Sequence, residues 1–110
     1  MHKFSLDAIS REQLQKANST PSRRAAETVY GGHERALRQT VIAMAERTEL
    51  AEHENPGEAT VLVLSGRIRL SAGDVAWEGR QGDLLVVPDA RHALTAITDT
   101  VVLLTVVKHP

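Results

Sequence analysis

The sequence predicts an all-β domain, a small barrel or sandwich preceded by a short helix or arm. Three observations carry that expectation. From Thr60 onward, apolar runs of strand length recur about every 8–12 residues, the spacing of antiparallel barrels and sandwiches. Turn residues bound the runs: Ser65-Gly66, Ala72-Gly73-Asp74, Gly82-Asp83 and Pro88-Asp89. Arg67-Ile68-Arg69-Leu70 alternates polar with apolar, as a half-exposed strand does.

Taken in order, the first element is a helix. Ser10-Arg11-Glu12-Gln13 fits the capping box, in which a Ser hydroxyl caps an amide and a Gln reaches back. This predicts a helix from Ser10 through about Ala17. Asn18-Ser19-Thr20-Pro21-Ser22 then stops it, because Pro cannot continue a helix and the polar run competes for backbone bonds. The opening is expected to be a solvated arm or short helix outside the main fold. Thr28-Val29-Tyr30 predicts a short strand, ended by Gly31-Gly32. The stretch from His33 to Glu52 supports two readings. Leu37, Val41, Met44 and Ala45 follow helical spacing, while Arg38 to Ala43 is a strand candidate with Thr40-Val41-Ile42 at its β-branched centre. Local pattern alone favours the helix. Beyond Asn55 the expected strands are Thr60–Leu64, Arg67–Leu70, Val75–Trp77, Leu84–Val87, Leu94–Ile97 and Thr100–Val107. Glu78 to Asp83 reads as a Gly-rich connection.

Composition excludes several classes of function. At 110 residues the chain has room for one core. A net charge of -1 argues against a nucleic-acid surface or an anionic membrane as partner, since both need clustered basic charge. There is no cysteine, hence no disulfide, thiolate ligand or thiol nucleophile. Aromatics make up 3%, too few for a pocket that stacks sugars or bases. Met1-His2-Lys3-Phe4 lacks the apolar core of a signal peptide, and no segment nears the ~20 apolar residues of a membrane helix. A cytoplasmic protein is expected. No G-x-S-x-G elbow, phosphate-cradling loop or helix-turn-helix pattern is present.

Chemistry concentrates between Glu52 and His92. His53-Glu54-Asn55-Pro56-Gly57-Glu58, followed by Val61-Leu62-Val63-Leu64-Ser65-Gly66, resembles the first motif of the cupin family. That motif has an H-x-H pair, a Glu a few residues on and a Gly closing the strand. Gly82, five residues, Pro88 and then His92 resembles the second motif, and the match spans roughly residues 40 to 107. The resemblance implies a double-stranded β-helix, the jelly-roll barrel, with residues 33–110 as barrel and 1–32 as N-terminal helix and arm. It implies that the stretch before His53 is a strand, overriding local helix preference. It also implies a small-molecule ligand, a divalent metal (zinc, iron, manganese or nickel) and a homodimer.

Position by position, His53 matches the first histidine and His92 the histidine of the second motif. Asn55 stands where the second histidine is expected, and the Glu position falls on Ala59. Pro88 to His92 is one residue shorter than usual. Residues 53 and 55 share a strand face, but an amide oxygen is a poorer transition-metal ligand than imidazole. Asn55 reads first as a turn residue before Pro56-Gly57. Glu58 adjoins the empty carboxylate position, yet a one-residue offset turns it to the other face unless a bulge intervenes. The ligand-binding candidates are therefore His53, Asn55 and His92, and the metal candidates His53, His92 and Glu58. Gln39 and His33 are further candidates to fill the gap; His2 and His109 are terminal. Trp77 reads as a packing anchor or dimer contact. Three functions follow: a ligand-binding cupin with a degenerate metal site, a metal-dependent enzyme, or a regulatory module acting through dimerisation.

Overall fold

The computed structural model of the chain describes residues 1–53 and 57–108, with the side chains of 52 and 53 outside that description. Within it, helix α1 (Leu6–Ser19) precedes strands β1 (Arg24–Tyr30), β2 (Leu37–Met44), β3 (Glu49–His53), β4 (Gly57–Ser65), β5 (Arg67–Ala72), β6 (Val75–Arg80), β7 (Leu84–Val86), β8 (His92–Ala96) and β9 (Thr100–Lys108). They form a five-stranded sheet in the order β1-β2-β9-β4-β7 and a four-stranded sheet in the order β3-β8-β5-β6. Every pairing is antiparallel. The inner faces meet over an apolar interior built from Met44, Val61, Val63, Ile68, Leu70, Leu85, Leu94 and Val102. This is the jelly-roll the resemblance implies.

The helix begins at Leu6, not at Ser10. Ser5 is the cap: its backbone is extended at φ -89 and ψ 102, and its hydroxyl accepts the Ala8 amide at 3.2 Å. An earlier start puts Leu6, Ile9, Gln13 and Ala17 on one face, and the last three are buried. Gln13 does not turn back to a capping box. Its Nε2 donates to Glu27 Oε1 of β1 at 3.3 Å. The helix is no solvated arm either: with Val41, Ala43 and Val101 it forms a second apolar cluster on the outer face of the five-stranded sheet.

Two further features have physical causes. The stretch from His33 to Glu52 folds as β2 and β3, as the resemblance implies and against its local helical pattern. β2 lies between β1 and β9, with Val41 turned toward α1 and Ile42 toward the interior. A strand covered on both faces loses the alternation that marks one in sequence. β6 runs on through Glu78-Gly79-Arg80, a stretch that reads as a loop. At Gly79 a Cβ would stand 2.6 Å from Leu85 Cδ1, so this glycine lets β6 close against β7 where no ladder joins them. Gly66, which closes the first motif, has φ +85, and a Cβ there would collide with the Asp99 carbonyl oxygen.

Thr100 locks the closed end of the barrel. It is fully buried, its hydroxyl lies 2.9 Å from the Arg67 carbonyl and 2.8 Å from the Thr98 carbonyl, and it accepts the Arg67 amide at 3.1 Å. Thr100→Val keeps the shape and removes those bonds. We expect it to lower the unfolding free energy by about 1–3 kcal/mol in urea titration; an unchanged midpoint would show the bonds to be redundant. No described helix is long and apolar enough to cross a membrane.

Candidate functional site

The pairing of β3 with β8 sets the geometry of the site. After a register shift beyond Leu50, His53 and His92 are direct Cα partners. Residues opposite one another in an antiparallel pair stand roughly 4.5–5.5 Å apart at Cα. Two histidines thirty-nine positions apart in the chain thus have adjacent backbones.

His92 opens β8 and is 6% exposed. Its Nδ1 lies 2.9 Å from the Ala90 carbonyl oxygen. A carbonyl only accepts, so Nδ1–H is the donor of this bond. The ring lines an interior cavity of about 50 Å³ walled by Leu50, Val61, Leu70, Val87, Leu94 and Leu104, among others. Among the described residues of that wall, His92 is the one polar side chain. A polar group in an apolar chamber is held by its hydrogen bonds and offers an incoming molecule one point of attachment.

The other sequence candidates separate from it. Ala59 is buried and packs in the interior, so the position where the motif carries its Glu points inward without a ligand atom. Glu58, its neighbour on β4, is exposed on the opposite face and lines a groove with Thr60, Val86 and Asp89. No bulge swings it inward: β4 and β9 keep register from Gly57 through Val63. Gln39 also faces outward, where its Nε2 donates to Thr105 Oγ1 at 3.2 Å. His33 is exposed in the β1–β2 loop. Asn55, the His53 side chain and His109 lie outside the described residues.

Residues the sequence reading missed stand on β2. Arg38 and Thr40 share the inward row with Ile42, and Arg38 is half-buried. Neither stands in a motif, and which row of β2 faces inward depends on its pairing with β1 and β9. A surface hollow of about 840 Å³ runs along α1 from Ala8 to Ser19. One helix supplies every residue lining it, so nothing converges there.

The described donors alone do not make a divalent-ion site. Among the described residues no three His, Asp or Glu side chains converge. Iron sites ask for two imidazoles and a carboxylate, and catalytic zinc usually for three protein ligands. With Ala59 inside and Glu58 outside, the motif's Glu position and its neighbour supply no inward carboxylate among the described residues.

Fold and site together define a small jelly-roll barrel with a histidine set in an apolar interior. Residues 40–108 match the family model described as "Cupin domain", and the chain belongs to that family. No curated protein matches it. Among solved structures, it is similar to a conserved protein of unknown function from Streptococcus pyogenes, with 26% identity, 100% of this chain and 91% of that one covered, and a TM-score of 0.78. A protein from Thermus thermophilus superposes over 100% of both chains at 17% identity and a TM-score of 0.76. KdgF from Halomonas sp. is 16% identical over 84% of this chain and 85% of that one, with a TM-score of 0.67. At such identities the last two likenesses speak to the fold alone.

Proposed function

We propose that the chain binds a small molecule at the His53–His92 end of its barrel and works as a homodimer. His53, His92 and Asn55 act as the polar fixings, and the apolar strands form the wall. The observation that carries the reading is His92, a buried imidazole whose other described neighbours in the chamber wall are aliphatic side chains. The chamber, about 50 Å³, is far below the ~300–1,000 Å³ of a pocket that swallows a drug-sized ligand. The ligand therefore inserts one compact apolar group and presents one polar atom to the imidazole. Glu58 is not part of this set.

Thermal-shift measurement against small alcohols, amides and carboxylic acids tests the reading. At one hundred times its Kd, a ligand selective for the folded state adds about 2.7 kcal/mol of stability. We expect one chemical class to raise the midpoint of the wild type and to lose that effect in His92→Ala. Equal stabilisation of both proteins would overturn the proposal, as would the absence of any stabilising compound. Elemental analysis of the purified protein separates a metalloenzyme from this reading, since a stoichiometric ion would require a donor set other than the one described.

A further inference from the structure

The two outward faces of the barrel differ in chemistry. The four-stranded sheet turns Glu49, Arg67, Arg69, Glu78 and Arg80 outward, all exposed, with Arg67 and Glu78 paired at 3.1 Å. That is a solvated face. The five-stranded sheet is covered on one side by α1, while toward β7 its outward positions Thr60, Leu62, Leu84, Val86 and Leu103 are uncharged, with Glu58 at the end of the row. Leu84 and Val86 are 62% and 65% exposed.

The bare surface continues around the seam between the sheets. Val86 also lines a groove of about 240 Å³ with Leu70, Ala72, Val75, Trp77 and Pro88. Val75 and Trp77 are 61% and 60% exposed. Both strands at this seam, β6 and β7, are the edges of their sheets, so each is hydrogen-bonded along one side only. Open apolar edges are the feature that monomeric proteins blunt with charge, Pro or a covering element.

We propose that Val75, Trp77, Leu84 and Val86 form a self-association face, covered by the same face of a second copy across a two-fold axis. This rests on the homodimer reading above and assigns its surface. At a two-fold axis each residue meets its own kind, so a self-pairing face must lack like charges at its centre; none of these four is charged. The area agrees. Four side chains of this size, bare to this degree, expose about 400 Å², the apolar centre of a standard interface burying ~800 Å² per partner. A small ligand fits the groove less well, because among the described residues lining it the Trp77 indole N–H is the one polar side-chain group that could set an orientation.

The single tryptophan of the chain lies in the face and reports on it. Sedimentation velocity of the full chain should show a dimer, with Trp77 emission moving to the red as dilution releases monomer. The Leu84→Asp/Val86→Asp variant should weaken the dimer at least ~100-fold and leave red-shifted emission, with an unaltered far-UV circular dichroism spectrum. Should that variant unfold, Val75→Lys on β6 makes the same test from the other edge. A wild type that stays monomeric at high concentration overturns the homodimer and the face together. A dimer indifferent to these substitutions overturns the face alone. A monomer whose Trp77 emission shifts only when an apolar dye is added makes the groove a ligand site and rejects the proposal.

Discussion

Ile68→Ala should lower the unfolding free energy by about 3–4 kcal/mol, a large share of the ~5–15 kcal/mol that holds a domain of this kind together. Ile68 is fully buried, and its cross-strand neighbours are Gly79 on β6 and Ala96 on β8. Both are small, so the Ile68 side chain alone fills the width of three strands at that level of the barrel. Neither Gly79 nor Ala96 has a side chain that could swing into the space left by the missing carbons, so the penalty lies in the upper part of the range for such truncations. Urea titration reads the loss directly. Arg69→Ala, exposed one position along the same strand, should stay within ~0.5 kcal/mol of wild type. A loss below about 1.5 kcal/mol for Ile68→Ala would mean that the barrel repacks.

His92→Leu should abolish ligand-dependent stabilisation and leave the unliganded protein within about 1 kcal/mol of wild type. Leu matches the aliphatic wall around it, and its burial offsets the hydrogen bond that the imidazole makes to the Ala90 carbonyl. Sites that bind are built at some expense to stability, so the variant is expected to be nearly neutral for folding and severe for binding. Calorimetric titration with whichever compound stabilises the wild type reads the binding loss, expected to be at least ~30-fold, in the range for losing a buried hydrogen bond to a ligand. The reverse pattern, strong destabilisation with binding retained, would assign His92 a structural role.

Much of the architecture was legible in the chain, for identifiable reasons. Strands β4, β5, β7, β8 and β9 show as apolar runs between Gly, Asp and Pro turns, because turn chemistry is local. The motif pair placed His53 and His92 on facing strands, and the register bears out that backbone placement. The Ser10 cap failed because a capping box judges one turn, whereas the start of the helix was set by which face Ile9, Gln13 and Ala17 could bury. β1 was recognised only at Thr28–Tyr30. Its first half, Arg24-Ala25-Ala26-Glu27, has little strand propensity and is held by pairing with β2.

By itself the sequence determined the class of fold, the family and the pair of motif positions, His53 and His92, since strand spacing, turn residues and motif spacing are properties of neighbouring positions. Only the tertiary structure decided how β2 sits between β1 and β9, that Glu58 turns outward while Ala59 faces the interior, and that Trp77 and Val86 share one exposed seam. Each of those depends on which residue lies across a ladder or across the barrel. Pairing between distant segments is a property of the closed sheet, and no local stretch of the chain encodes it.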